Sequence, residues 1–263
     1  MQQRDTTKSQ PELNSKYEFQ REQMNTHLST QVMDFDPEDF HHKFRLFRYE
    51  KLKQFLGAID ESLDGKSVVV LGCGKGFDFH LIKHYFRDVR LAGVDISETG
   101  LKLAESTFSD VTLSVGNLEQ LDFPDGTFDY AIIPEALHHL QDVYRGLYEA
   151  VRISRKGAIL IEPYDSPLAR LATRLGYATE YEEEFGNYVF RTSIREMKKV
   201  GTAMFMDVRA EPYMCVHYTA KDSLGYRIWR GVNVVADVAA PLVANECIVY
   251  FRKEHKVGPK GTS

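Results

Sequence analysis

Residues 68–76 read Val-Val-Val-Leu-Gly-Cys-Gly-Lys-Gly, a β-branched run ending in closely spaced glycines. Such a turn lets backbone approach a ligand where a side chain would intervene, and a helix entered directly after it points N–H groups at that ligand. Three nucleotide readings of Gly72, Cys73, Gly74, Lys75 and Gly76 compete. A phosphate loop needs Gly-Lys followed by Ser or Thr, but Gly76 follows Lys75, so that reading fails. A dinucleotide turn needs G-x-G-x-x-G; the chain has G-x-G-x-G, then Phe77 and Asp78, which weakens a nicotinamide or flavin ligand without excluding it. About twenty residues on, Asp95 stands where an acid accepts hydrogen bonds from both hydroxyls of an adenosine ribose. The combination reads as an adenosine site whose chemistry stays open. Farther along come His138 and His139. Either one of them faces an acceptor as a general base, or both pack and hydrogen-bond behind the site.

These residues need elements to hold them. Ser67–Leu71, Leu91–Ile96, Val111–Val115, Phe128–Pro134 and Ala158–Glu162 read as strands. Helices are expected at Phe77–Phe86, after Ser97 as N-cap, and around Val143, Leu147, Ala150 and Val151. The alternation predicts a doubly wound α/β fold, a mostly parallel sheet covered on both faces, with its ligand outside the carboxyl ends of the strands. Residues 1–16 read as a polar, mobile tail and 17–64 as a helical cap, a lid over the site up to Phe40 and an amphipathic packing helix after Phe44. Past Pro163, helices at Ser166–Gly176 and Ile194–Val200 and strands at Phe205–Tyr213 and Asn245–Lys253 are expected. Between those two strands lies an insertion of about 214–244 carrying Tyr218, Tyr226, Trp229 and Arg230, and 254–263 is a flexible tail.

The segments VVVLGCGKGFD (68–78), GVDIS (93–97), GNLEQLDFPDGTFDYAI (116–132), EALHHL (135–140) and AVRISRKGAILIEP (150–163) resemble the successive motifs of class I S-adenosylmethionine-dependent methyltransferases of the UbiE/type 11 kind. The resemblance spans 66–163 and is looser beyond. It implies a Rossmann-like, seven-stranded sheet with the last strand antiparallel, an S-adenosyl-L-methionine cofactor and a methyltransferase domain at 65–253. It further implies that Gly72, Gly74 and Gly76 line the methionine and ribose portions, that Asp95 binds the ribose diol and that Ile96 packs on the adenine. Asn117 with Leu118 would read the adenine edge, and Glu135 would sit at the methionine end. Two positions depart from the family pattern: Val70 stands where an acid is usual, and Asn117 where Asp is favoured.

Composition narrows the partners. A net charge of -5 argues against nucleic acid held by phosphate neutralisation and against a polybasic membrane surface. Cys73, Cys215 and Cys247 have no paired spacing, so neither a disulfide framework nor a metal site is expected, and a reducing, cytoplasmic location fits. The expected activity is methylation of a small metabolite, sugar or natural-product intermediate on oxygen, by a monomer or homodimer. Tyr17, Phe19, Tyr181, Tyr188, Tyr218 and Trp229 are candidates for an aromatic wall around the acceptor. The acidic run 180–184 is either solvated or favours a cationic acceptor. The alternatives are an adenosine-binding protein of the same fold without catalysis, which Val70 favours, and a nicotinamide-dependent oxidoreductase.

Overall fold

A computed structural model describes residues 10–28, 40–178, 180–182, 187–215 and 239–253. The chain runs α1 (Gln10–His27), α2 (Phe40–Ala58), β1 (Ser67–Leu71), α3 (Phe77–Tyr85), β2 (Arg90–Asp95), α4 (Glu98–Thr107), β3 (Thr112–Val115) and β4 (Phe128–Pro134). It continues with α5 (Val143–Ile153), β5 (Ser154–Pro163), α6 (Pro167–Arg174), a short ribbon of β6 (Tyr181–Glu182) and β7 (Asn187–Tyr188), α7 (Ile194–Ala203), β8 (Asp207–Tyr213) and β9 (Glu246–Arg252).

Among the described residues one seven-stranded sheet has the order β3-β2-β1-β4-β5-β9-β8. The first five strands of the chain pair in parallel, while β9 lies antiparallel between β5 and β8. The order reverses between β1 and β4, so a crevice opens above their carboxyl ends. Alternate residues of each strand feed opposite faces. Val68, Val70, Ile132 and Ile159 meet Tyr49, Leu52, Phe55 and Leu56 of α2 and Phe79 of α3. Val69, Leu71, Ala131 and Ile133 meet Leu147, Ala150 and Val151 of α5. Helix starts follow their capping residues: Ser97, Asp142, Ser166 and Ser193 each accept from a backbone N–H of the first turn.

Two boundaries differ from the sequence reading. Helix α1 begins at Gln10, inside the stretch read as a tail, because a polar composition with Pro11 in the first turn is compatible with a helix that buries little. Strand β5 begins at Ser154 rather than Ala158, its start tied down when Arg155 donates to Asp129 at 3.0 Å. The tails 1–9 and 254–263 and most of the insertion, with Tyr218, Tyr226, Trp229 and Arg230, lie outside the described residues.

Candidate functional site

The glycine turn leaves β1 beneath a cavity of about 970 Å³, whose lining includes Gly72, Gly74, Asp95, Ile96, Asn117, Leu118, Glu135 and His139. With Tyr17, nine of the residues singled out from sequence therefore meet in one place, the eight just named coming from the ends of β1 and β2, the loop after β3 and the segment after β4. Tyr17, Gln20, Met24 and Leu28 of the α1 segment form its outer wall. Gly72 has φ +80, and a Cβ there would lie 2.3 Å from the Ala136 Cβ. Only glycine permits that approach of the turn to the segment after β4.

Asp95 is almost fully buried. Gly74 N–H donates to its Oδ2 at 2.7 Å and Ser97 N–H to its Oδ1 at 2.8 Å. Burial pushes this carboxyl up, against the pull of the Ser97, Gly74 and Ile96 amides. Asp95 lines the cavity, and a carboxylate has acceptor sites beyond these amides, which is what a vicinal diol needs. Asn117 Oδ1 accepts from Glu119 N–H at 2.9 Å, which shapes the loop and leaves the amide nitrogen available to a ligand.

The remaining candidates stand apart. Gly76 caps α3 and turns toward Phe79 and Phe108, off the large cavity. Cys73 is buried and lines a neighbouring cavity of about 410 Å³, which shares Leu28, Gly72, Gly74 and Glu135 with the first. The histidines divide. His138 is buried, its Nδ1 2.7 Å from Glu162 Oε2, whereas His139 faces the large cavity. Glu162 Oε1 also accepts from Ala136 N–H at 3.0 Å and Leu137 N–H at 2.8 Å, so this one side chain braces the whole segment after β4. Among the aromatic candidates, Tyr17 lines the large cavity, and Tyr188 lines a separate one of about 680 Å³ with His138 and Phe190. Tyr181 stacks edge-on against Tyr188 in the ribbon, and Phe19 is exposed. Of the acidic run, Glu183 and Glu184 lie outside the described residues.

A charged cluster missed in the sequence sits at the border of the two cavities. Arg48 of α2 donates through Nη1 and Nη2 to both oxygens of Glu135, the second contact at 2.5 Å. Its Nε and Nη2 also donate to Glu246 of β9, at 2.8 and 2.6 Å, and Tyr213 O–H donates to Glu246 at 2.6 Å. Burial alone would raise the Glu135 carboxyl, but Arg48 wins and holds it below the ordinary range. Nearby, Asp78 accepts from the Tyr49 hydroxyl at 3.0 Å, and burial raises its carboxyl. No local pattern signals Arg48: its partners lie 87 and 198 residues away.

Comparison with known proteins agrees with this geometry. Residues 69–161 match the model of a methyltransferase domain. Ajmaline N-methyltransferase of Rauvolfia serpentina is 32% identical over 103 residues, 36% of this chain and 35% of that one. Demethylmenaquinone methyltransferase of Symbiobacterium thermophilum is 33% identical over 105 residues, 37% and 41% of the two chains. The alignments thus span less than half the length of these curated relatives. Magnesium protoporphyrin IX methyltransferase from Synechocystis, solved with S-adenosylhomocysteine, superposes with TM-score 0.57 at 14% identity over 89% of this chain and 98% of its own. Geranyl diphosphate C-methyltransferase from Streptomyces coelicolor does so with TM-score 0.56 at 13% identity over 89% and 98%. At such identities the superpositions speak for the fold, and the matched motifs speak for the domain. Residues 69–161 thus carry the motifs of a methyltransferase domain, in a fold shared with solved methyltransferases.

Proposed function

We propose that the protein transfers a methyl group from S-adenosylmethionine to an oxygen of a small molecule. The observation that carries this reading is the convergence of Gly72, Gly74, Asp95, Asn117, Leu118 and Glu135 on one cavity, with both Asp95 oxygens braced by backbone amides. Its volume, about 970 Å³, suits a nucleoside-sized ligand with space beside it. Asp95 would hold the ribose diol, Ile96 and Leu118 the adenine faces and Asn117 its edge. The donor supplies a methyl group already activated on a sulfonium, so the protein's task is to align the acceptor.

A hydroxyl acceptor must also lose its proton, and His139 is the group positioned to take it. His138 is tied to Glu162 and serves as a brace. A cavity walled by α1 favours a small acceptor over a macromolecule, in keeping with relatives named for ajmaline and demethylmenaquinone. Among the described residues no helix is long and apolar enough to cross a membrane. The three buried free thiols suit a reducing compartment, and we place the protein in the cytoplasm.

Calorimetry with S-adenosylhomocysteine and with NADH tests the donor site. Micromolar binding of the first and none of the second is expected, and the reverse would replace this reading with an oxidoreductase. Incubating metabolite pools with methyl-labelled donor and reading the products by mass spectrometry then tests turnover. A protein that binds the homocysteine product yet labels nothing from any pool would be a binding protein of the same fold.

A further inference from the structure

We propose that a second copy of this chain docks on the outward face of α6 and the tyrosines beside it. A surface helix ordinarily buries its apolar side and leaves its polar side to water. Helix α6 does the reverse, and of its residues only Ala169 is buried among the apolar ones. Leu168, Leu171 and, just past its end, Leu175 fall on one side at a helical turn of about 100° per residue, and all three are exposed, Leu175 by 61%. Arg170, Thr173 and Arg174 fall on the other side and line the cavity of about 680 Å³. Tyr177 is 84% and Tyr188 70% exposed, and Tyr181 packs edge-on against Tyr188. Exposed Tyr144 and Tyr148 of α5 extend the patch, since Tyr144 meets Phe190, which lines the same cavity as Tyr188.

The size of the patch and its charges choose the occupant. These side chains expose roughly 600–900 Å², taking about 150–250 Å² for a whole aromatic and half that for a leucine. The largest apolar patch of an ordinary monomer is roughly 300–600 Å², and each partner in a stable interface covers about 800 Å². The rim carries both signs. Arg170 donates to Asp165 at 2.8 Å, Arg174 and Arg191 line the cavity with Glu180, and the sequence continues with glutamates at 182–184. Those acids would repel an anionic lipid surface. An isologous contact instead meets the same patch turned around and needs both signs on it. The leucines are three and four residues apart, the spacing by which a helix packs against its own copy. Tyr188 belongs to patch and cavity alike, so the second copy also closes the outer side of that cavity. The cavity shares Leu140 and Gln141 with the larger one, which ties the dimer to the candidate site.

Sedimentation velocity on the full chain, from about 1 to 100 µM, reads the oligomeric state, and a dimer is expected across most of that range. No ligand enters the measurement, so its outcome is independent of the donor site. Leu171→Glu combined with Leu175→Glu puts carboxylates in the middle of the contact and is expected to raise the dissociation constant at least about 100-fold. Circular dichroism should be unchanged, because both positions are exposed. Tyr188→Ser, in the ribbon, is expected to weaken the dimer about tenfold and serves if the double variant fails to fold. Phe205→Glu, 91% exposed in the loop between α7 and β8, should leave the dimer intact. A wild-type chain that stays monomeric throughout would overturn the proposal. So would a dimer that survives the double variant and Tyr188→Ser, or one that Phe205→Glu dissolves equally. Mixing the chain with phosphatidylglycerol vesicles identifies the other occupant: a monomer that co-sediments with them, and stops doing so in the double variant, would give this face to lipid.

Discussion

At the scale of single residues, the acid in the cavity gives the sharpest expectation. Burial raises the Asp95 carboxyl, so it takes up a proton at a higher pH than an ordinary aspartate, and in the proposed donor site only the ionised form would accept from both ribose hydroxyls. Affinity for S-adenosylhomocysteine should therefore fall on acidification while pH is still above about 4. Asp95→Asn should lower affinity at least about tenfold, since hydrogen bonds to a charged group are worth roughly 1.5–3 kcal/mol, and should flatten that pH profile. Calorimetry between pH 4.5 and 8 checks both. The two histidines should separate in a different way. His138→Ala removes a buried partner of Glu162 and is expected to cost about 1–3 kcal/mol in thermal denaturation. His139→Ala should leave stability nearly unchanged while slowing transfer to a hydroxyl acceptor by about 10²- to 10⁴-fold. Asp95 was legible in the sequence because a strand end and a turn fix its place within a few residues. Arg48, Glu162 and Glu246 were not, because their meaning arises only when the sheet brings distant segments together. The same holds for the difference between His138 and His139, which share every local signal.

At the scale of elements, the strands at the centre of the sheet were readable as apolar runs, and the caps Ser97 and Asp142 as helix starts. The join between strands was not. Asp129 at the start of β4 accepts from Ser67 N–H at 2.9 Å and from Arg155 Nε at 3.0 Å, tying the starts of β1, β4 and β5 together. Despite burial, these donors bring its carboxyl down to about 2. A carboxyl held down in the folded state stabilises the fold above its ordinary pKa, and that stability is lost as pH falls from about 4 toward 2. With partial exposure the loss should be on the order of 1–2 kcal/mol. Urea unfolding of wild type and Asp129→Asn across that window checks it: the variant should be weaker at neutral pH and the gap should close toward pH 2. A constant gap would mean that the side chain's geometry, not its charge, holds the three strand starts.

At the scale of the whole molecule, the two N-terminal helices are attached in opposite ways, and that decides which of them can respond to a ligand. Helix α2 buries Tyr49, Leu52, Phe55 and Leu56 in the core and reaches β9 through Arg48, so it opens only when the domain unfolds. Among the described residues, helix α1 is held mainly by polar contacts. Gln20 Nε2 donates to His139 O at 3.0 Å, and Asn25 Oδ1 accepts from Ser97 Oγ at 2.8 Å and Thr99 N–H at 3.1 Å. Leu28, just past its end, rests over Gly74 and Gly100. Such a helix should open at small cost, and a ligand beneath it would add contacts to Tyr17, Gln20 and Met24 that only the closed position offers. Hydrogen exchange should show fast α1 amides in the free protein and at least about tenfold slowing with S-adenosylhomocysteine, while α2 is already slow and changes only with global stability. At a hundredfold excess over Kd that global gain is about 2.7 kcal/mol. Equal slowing of both helices would mean that α1 moves with the core, and the donor cavity would then need another way in.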